Sequence, residues 1–274
     1  MAAPDPGREQ RLVFGEVAPT YDEARPGYPG PAVDDIVAFA HVGAGDRVLE
    51  VGAGTGKATV ALGARGLSVV ALEPSPAMAA LCSRNVAPYG GVTVVVSGFE
   101  EWPGEQASFR LLVAAQSWHW MPAGTRYARA HELLVPGGTL ALLWNRPVWP
   151  ETELRSALSA VYRAQAPALW ARDPGFPGLT PRPDEAWPAQ IAATELFGDV
   201  EAHAHPWSET YTTERYVRLL STQSDHRMLP ATELDALLGS VADVLDAAGG
   251  GISVDYMARL YLARSRPPAR AVPP

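Results

Sequence analysis

Apolar residues follow two alternating patterns along the first half of the chain. Short runs that are apolar at nearly every position are typical of strands covered on both faces of a sheet, and they lie at 47–51, 67–72, 92–96, 109–115 and 139–144. Before and between them, helical periodicity predicts helices at 31–40, 57–65, 76–85 and 125–134. The alternation of the two patterns predicts a doubly wound, mostly parallel α/β sheet.

The pattern changes after Asn145. An amphipathic helix is predicted at 151–166, and a proline-rich stretch that also carries aromatic residues follows it as far as Pro188. The rest of the chain predicts a strand at 200–211, helices at 213–221 and 231–247, and a last strand at 252–263. Two late strands after five parallel ones indicate a seven-stranded sheet with a small helical cap.

These patterns divide the chain into five segments. We expect an N-terminal segment, a ligand-binding core, a helical and proline-rich cap insertion, the C-terminal part of the core sheet and a disordered tail, at 1–30, 31–147, 148–196, 197–266 and 267–274 respectively.

A glycine turn directly after the first predicted strand is the strongest chemical signal. Gly52, Gly54 and Gly56 open the next helix, and Glu73 ends the following apolar run. A strand, a glycine loop and a later carboxylate for ribose hydroxyls together predict an adenosine-ligand site. The dinucleotide fingerprint would need glycine where Lys57 stands, but a nicotinamide or flavin enzyme is still an alternative at this point. A phosphate-binding P-loop is disfavoured, since it would need glycine at 51 and Ser or Thr at 58.

Composition narrows the class of protein. The 274 residues can bury a full core, as one domain with an elaboration or as two small domains. The net charge of -8, without runs of Lys or Arg, disfavours a nucleic-acid partner. The single cysteine, Cys82, excludes an intramolecular disulfide. We find no signal peptide at 1–10 and no apolar stretch long enough to span a bilayer, and we expect a soluble, cytoplasmic monomer or homodimer with no membrane partner.

From Phe14 to Arg266 the chain resembles the class I S-adenosylmethionine-dependent methyltransferases, of the small-molecule type that includes ubiquinone-biosynthesis and trans-aconitate methyltransferases. Three motifs in order carry the resemblance: VLEVGAGTG at 48–56, EPSPAM at 73–78 and LLVPGGTL at 133–140. It implies a Rossmann-like sheet of order 3-2-1-4-5-7-6 with strand 7 antiparallel. It also implies S-adenosylmethionine as cofactor, S-adenosylhomocysteine as product, and a small organic acceptor of the secondary-metabolite kind.

The resemblance assigns donor-binding roles residue by residue. Glu50 would orient the methionine amino group, the glycines would let the backbone pass under the ligand, and Glu73 would accept hydrogen bonds from both ribose hydroxyls. Many relatives have Gly-Asp-Ala after strand 3, but glycine stands here in the aspartate's place, at Gly98, so adenine recognition is expected from Glu100 and Phe99. The full cofactor set is Tyr21, Arg25, Glu50, Gly52, Ala53, Gly54, Gly56, Glu73, Pro74, Met78, Phe99, Glu100, Gln116 and Ser117.

The reactive side is expected in the loop after strand 4, since ligands bind at the carboxyl ends of parallel strands. His119 is the candidate general base or substrate orienter, and the alternative is a histidine that only hydrogen-bonds the loop. The segment 21–29 resembles the lid of this group. Arg25 and Arg146 could each bind a carboxylate or form a structural ion pair. The predicted acceptor set, which suggests a largely apolar acceptor, is Tyr28, Trp118, Trp120, Trp144, Asn145, Arg146, Trp149 and Trp170.

Two other functions are compatible with part of this pattern, and a metal site is not expected. A relative that binds S-adenosylmethionine without transferring methyl, such as a cyclase or a binding protein, would share these motifs. A nicotinamide-dependent oxidoreductase is disfavoured by Lys57 and by the downstream motifs. His203 and His205 would lie on one face of a strand and could bind metal, but no cysteine or acidic residue lies nearby at a metal-ligand spacing, and we expect no metal.

Overall fold

The computed structural model describes residues 15, 17–172 and 186–267. The expectations for 1–14, for the middle of the proline-rich stretch at 173–185 and for the tail at 268–274 therefore lie outside the described residues.

The described strands form one seven-stranded sheet of order β3-β2-β1-β4-β5-β7-β6. The strand pairs β1–β2, β2–β3, β1–β4 and β4–β5 are parallel, and β7 is antiparallel. The expected fold class and strand order are thereby confirmed. The strands are β1 (Arg47–Val51), β2 (Ser68–Glu73), β3 (Val92–Val96), β4 (Phe109–Ala115), β5 (Leu134–Val148), β6 (Glu201–Thr212) and β7 (Gly251–Arg264).

Ten α-helices lie in the described ranges, and three of them had not been predicted: α1, α7 and α8. Their sequences begin with or near proline, which suits the first helical turn because its missing N–H needs no partner there. The helices are α1 (Ala18–Ala24), α2 (Gly30–Ala40), α3 (Lys57–Gly63), α4 (Pro76–Val86), α5 (Arg126–Leu133), α6 (Glu153–Gln165), α7 (Pro167–Arg172), α8 (Trp187–Ala193), α9 (Thr213–Ser221) and α10 (Ala231–Ala247). A 3-10 turn at Trp118–Trp120 follows β4.

Strand β5 begins five residues before the apolar run that predicted it, at Leu134 instead of 139. Phe109 pairs with Leu134, but two residues later Leu111 already pairs with Thr139, so the intervening residues form an irregularity in the strand. Gly137, at φ +79°, takes the left-handed conformation that the irregularity needs. The segment 134–138, which precedes the predicted strand, is thus part of β5.

The chain divides into two compact units, each with its own hydrophobic core. The first, the sheet unit, has its described parts at 28–144, 186–205 and 258–267, and the second, the cap unit, at 17–27, 145–172 and 206–257. Buried Leu49, Leu112 and Trp118 belong to the core of the sheet unit. Leu158 and Leu237 belong to the core of the cap unit.

None of the helices in the described ranges is both long enough and apolar enough to cross a bilayer.

Candidate active site

The glycine turn after β1 is tied to the end of β2 by backbone hydrogen bonds. The N–H groups of Gly52 and Ala53 both donate to the carbonyl oxygen of Leu72, at 2.9 Å each. Gly52 has φ +70°, and a Cβ there would lie 2.5 Å from the Cβ of Ser117, so glycine is required for two reasons. The turn therefore brings the carboxyl ends of β1, β2 and β4 together.

The other two glycines of the turn differ in what surrounds them. Gly56, at φ +90°, caps α3, and a Cβ there would lie 2.9 Å from the sulfur of Cys82. Gly54, at φ +59°, would place a Cβ in open space, with no atom within 4 Å among the described residues. The backbone at Gly54 is thus the part of the turn that a ligand can approach closely.

Glu73, at the end of β2, is held by both carboxylate oxygens. Oε2 accepts a hydrogen bond from the Gly54 N–H at 2.8 Å, and Oε1 accepts one from the Ser75 N–H at 2.9 Å. Burial raises the pKa of Glu73, while these two hydrogen bonds oppose the rise. A carboxylate offers about four acceptor positions, so one position on each oxygen is left for a ligand.

Glu50 lies at the same edge of the sheet and is 1 % exposed. Burial raises the pKa of Glu50 to about 8; a hydrogen bond from Thr59 opposes the rise, and the charge of Glu73 adds to it. Among the described residues, its buried Oε2 has no hydrogen-bond partner. The site therefore contains a buried acid whose neutral form is favoured by burial and which would gain a favourable partner from a bound cation.

The first turn of α4 places the two residues expected beside adenine. Ser75 caps this helix, since its hydroxyl accepts a hydrogen bond from the Met78 N–H at 3.4 Å. Met78 is buried and Pro74 is exposed.

The loop after β3 contains Glu101, an acidic residue that no sequence motif had indicated. Phe99 is buried and its ring lies 6.0 Å from that of Trp118. Glu100 follows it, half-buried. A Cβ added at Gly98 would collide with Oε2 of Glu101. The Glu101 carboxylate thus takes up space that a side chain at Gly98 would need, and the Gly-Phe-Glu-Glu run was the signal that could have revealed it.

Two residues shape the loop after β4. Gln116 has φ +58°, which is uncommon for a residue with a side chain, and its N–H donates to the Leu143 oxygen at 2.8 Å. The hydroxyl of the next residue, Ser117, donates to the backbone oxygen of Val51. Residues with such strained backbone conformations are often found at functional sites.

The aromatic residues predicted for the reactive side fall into two groups. Trp118 and Trp144 are buried in the core of the sheet unit: Trp118 lies edge-on to Tyr127 at 5.5 Å, and Trp144 stacks on Trp187 at 4.7 Å. His119 and Trp120 are half-buried in the 3-10 turn, with ring centroids 4.6 Å apart. Of these four, only His119 and Trp120 expose part of their side chains to solvent.

Arg25 and Asn145 have contacts inside the cap unit. Arg25 donates from Nε to Thr222 Oγ1 at 2.9 Å and from Nη2 to the Thr222 carbonyl at 2.8 Å, and its guanidinium lies 4.9 Å from the Tyr21 ring. Asn145 donates to the Gly27 carbonyl at 2.7 Å and accepts from the Trp207 indole at 3.2 Å.

The remaining predicted acceptor residues are half-buried. In the cap unit, Trp149 lies edge-on to Tyr216 at 6.4 Å, and Trp170 lies 5.4 Å from the guanidinium of Arg163. Arg146 of the cap unit and Tyr28 of the sheet unit are also half-buried.

Comparison with known proteins agrees with this geometry. The profile of the methyltransferase domain family matches residues 48–138. An uncharacterized methyltransferase of Mycobacterium tuberculosis is 29% identical over 256 residues, which cover 91% of this chain and 94% of that protein. An uncharacterized methyltransferase-like protein of Schizosaccharomyces pombe is 26% identical over 82% of each chain.

A solved structure agrees in fold. A provisionally assigned type II methyltransferase from Anaeromyxobacter dehalogenans superposes with a TM-score of 0.60 at 21% identity, covering 89% of this chain and 99% of the other. The methyltransferase-domain match, the methyltransferase relatives and the shared fold together support the resemblance to class I S-adenosylmethionine-dependent methyltransferases. The same findings support methyltransferase activity with S-adenosylmethionine as cofactor.

Proposed function

We propose that this methyltransferase binds its donor over the glycine turn and methylates a small organic acceptor. The observation that carries the proposal is the pair of free acceptor positions on Glu73, beside the open face of Gly54. A carboxylate with one free position on each oxygen suits a vicinal diol such as the ribose of S-adenosylmethionine.

The charge of the donor suits the other buried acid. The partnerless oxygen of Glu50 would accept a hydrogen bond from the methionine amino group, and the positive charge of that group would favour the ionised form of Glu50. The adenine would lie between Pro74 and Met78 on one side and the Phe99–Glu100 loop on the other. Glu101 is a second candidate for its amino group, because the Glu101 carboxylate takes up the space beside Gly98.

S-adenosylmethionine supplies a methyl group that its positively charged sulfur activates. The acceptor's electron pair would form the new bond to the methyl carbon, in line with the carbon–sulfur bond, whose electrons would return to sulfur. The protein's contribution is mainly to hold the reacting atoms in line, an effect worth roughly 7–11 kcal/mol. Gln116 and Ser117 shape the loop that carries His119, and His119 would take the acceptor's proton where the acceptor has one to lose.

The acceptor side is proposed from the residues that are not fully buried. His119 and Trp120 of the sheet unit are our first choice. Tyr28, Arg146, Trp149 and Trp170 stay acceptor predictions from the sequence, and Tyr21 stays a donor prediction. The buried rings of Trp118 and Trp144 fix neighbouring elements in place. Arg25 and Asn145 are proposed to organise the cap unit through the contacts with Thr222, Gly27 and Trp207. A lid formed by residues 1–30 stays a prediction.

A transfer assay tests this proposal. We expect purified protein with methyl-labelled donor and a panel of phenols, amines, carboxylates and acidic-carbon compounds to give a labelled small product. His119→Ala should lower kcat at least about a hundredfold, the lower end of what general bases contribute, and leave donor affinity unchanged. His131→Ala is the matched control, because His131 hydrogen-bonds the Arg266 carbonyl instead of lying in the loop after β4.

The assay also separates the alternative function. Tight donor binding with no labelled product from any acceptor would support a relative that binds S-adenosylmethionine without transferring methyl. Labelled product with wild-type turnover in His119→Ala would remove the base role and leave the methyltransferase assignment intact.

A further inference from the structure

A cluster of one carboxylate and two imidazoles lies at the edge of the sheet and shares no residue with the proposed donor site. Asp35 of helix α2 meets His203 and His205 of the edge strand β6, and one potential ligand atom from each lies within 4.8 Å of the others. All three residues are half-buried. The sequence spacing alone did not reveal the cluster, because 168 positions separate Asp35 from His203.

Local structure explains why these three side chains meet. In β6 every second side chain is half-buried while its neighbours are exposed, so His203 and His205 point the same way. On α2 the two consecutive aspartates have different partners: Asp34 pairs with Arg65, whose Nε lies 2.9 Å from its Oδ1, and Asp35 faces the histidines. The Asp35 carboxylate thus contacts the two imidazoles and not Arg65.

His203 has carboxylates at both ring nitrogens. Its Nδ1 lies 2.7 Å from Asp35 Oδ2, and its Nε2 lies 3.5 Å from Glu201 Oε2. Histidines that bind metal through one nitrogen commonly donate the other N–H to a carboxylate, which fixes the ring and leaves the first nitrogen as the ligand. Glu201 is placed to be that second partner.

His205 also contacts the Asp35 carboxylate, but with poorer hydrogen-bond geometry. Its Nε2 lies 2.9 Å from Asp35 Oδ2, yet this buried nitrogen has no hydrogen-bond partner of acceptable geometry in the described part of the chain. Two imidazole nitrogens thus converge on one carboxylate oxygen, and the contact with His203 has the better hydrogen-bond geometry. A shared cation satisfies all three atoms through their lone pairs.

We propose that Asp35, His203 and His205 bind a divalent transition-metal ion, with Zn²⁺ as the fitting member of the class. Zinc bonds of about 2.0–2.1 Å at tetrahedral angles put neighbouring ligand atoms about 3.3 Å apart. Each of the two nitrogen–carboxylate contacts would therefore open by about half an ångström, and the two imidazole nitrogens, which lie within 4.8 Å of each other, would settle at a similar spacing. Three protein ligands leave the fourth position to water. The ion would join α2 to the edge strand β6.

Metal titration of the full-length, tag-free protein tests the site. We expect one Zn²⁺ per chain by calorimetry, and one Co²⁺ with the visible spectrum of a four-coordinate nitrogen–oxygen site. Asp35→Asn and His205→Gln should each weaken Zn²⁺ binding by more than about tenfold, because loss of an outer partner alone costs about 10- to 100-fold. Asp34→Asn is the matched control and should bind Zn²⁺ like the wild type.

Two results of these titrations would contradict the proposed metal site. No stoichiometric Zn²⁺ binding by the wild type, or binding that Asp35→Asn and His205→Gln leave unchanged, would mean that the cluster is a hydrogen-bonded contact only. Thermal melting of each variant without metal shows that the variant is folded. Zn²⁺ should raise the melting temperature of the wild type and of Asp34→Asn, and not that of the other two.

Discussion

At the scale of single residues, two buried carboxylates give the proposed donor site its chemistry. Glu73 is fixed through two backbone N–H groups, whereas the buried Oε2 of Glu50 has no partner in the described chain. The first arrangement positions a neutral diol, and the second favours a cation. In the proposed site, the two acids would therefore bind different ends of one ligand.

The raised pKa of Glu50 predicts a pH-dependent stability. The pKa of Glu50 is about 8 in the folded protein against an ordinary value of 4.5, so the folded state holds a proton that the unfolded state releases between these pH values. Stability should then fall as pH rises from about 4.5 to about 8 and change little outside this window. At about 1.4 kcal/mol per pKa unit the loss is up to about 5 kcal/mol.

Urea unfolding at several pH values measures this effect. Glu50→Gln, which has nearly the same shape and no proton to lose, should flatten the decline and exceed the wild type in stability at pH 8 to 9. Parallel stability profiles for the two proteins would contradict the assignment of this proton to Glu50.

The sequence predicted the glycine turn that brings the donor candidates together, and it did not predict the contacts between distant residues. Gly52, Gly54, Gly56 and Glu73 stand in short local motifs whose spacing reflects the turn itself. The Asp35–His203 contact depends on how α2 and β6 come together, and no local pattern encodes that meeting.

At the scale of elements, the glycine turn provides a matched pair of substitutions. Gly54→Ala and Gly45→Ala both place alanine at positive φ, +59° and +84°, with nothing within 4 Å of the added Cβ. Each should cost about 1–2 kcal/mol of stability from the left-handed backbone. Only Gly54→Ala should also weaken binding of S-adenosylhomocysteine, by at least about tenfold, or 1.4 kcal/mol.

Calorimetric titration of both variants measures this difference. Equal affinity of Gly54→Ala and Gly45→Ala for the ligand would show that the ligand does not approach the turn at Gly54.

Most elements were predicted within one or two residues because apolar periodicity encodes them directly. The prolines were misleading: α1, α7 and α8 lie in proline-rich sequence that favoured irregular chain, yet a proline stands in the first turn of each. The early start of β5 could not be predicted either, since Pro136 and the glycines at 137–138 indicate a turn, and only pairing with β4 and β7 makes that segment part of a strand.

At the scale of the whole molecule, sequence order predicted the sheet, whereas the bounds of the two compact units follow contacts between distant residues. The predicted cap segment 148–196 contributes its described residues to both units: 148–172 to the cap unit and 186–196 to the sheet unit. Trp187 explains the second assignment, because its ring stacks on Trp144 in the core of the sheet unit. Such pairing between distant residues leaves no trace in local periodicity.

The most direct measurement of the central claim is a calorimetric titration of the whole protein with S-adenosylhomocysteine and, separately, with NADH. The wild type should bind one S-adenosylhomocysteine per chain and show no stoichiometric binding of NADH. Glu73→Ala should bind S-adenosylhomocysteine at least about a hundredfold more weakly, because hydrogen bonds to a charged group are worth about 1.5–3 kcal/mol each and two are lost. Preferential binding of NADH, or unchanged S-adenosylhomocysteine affinity in a folded Glu73→Ala, would contradict a donor site at the carboxyl ends of β1 and β2.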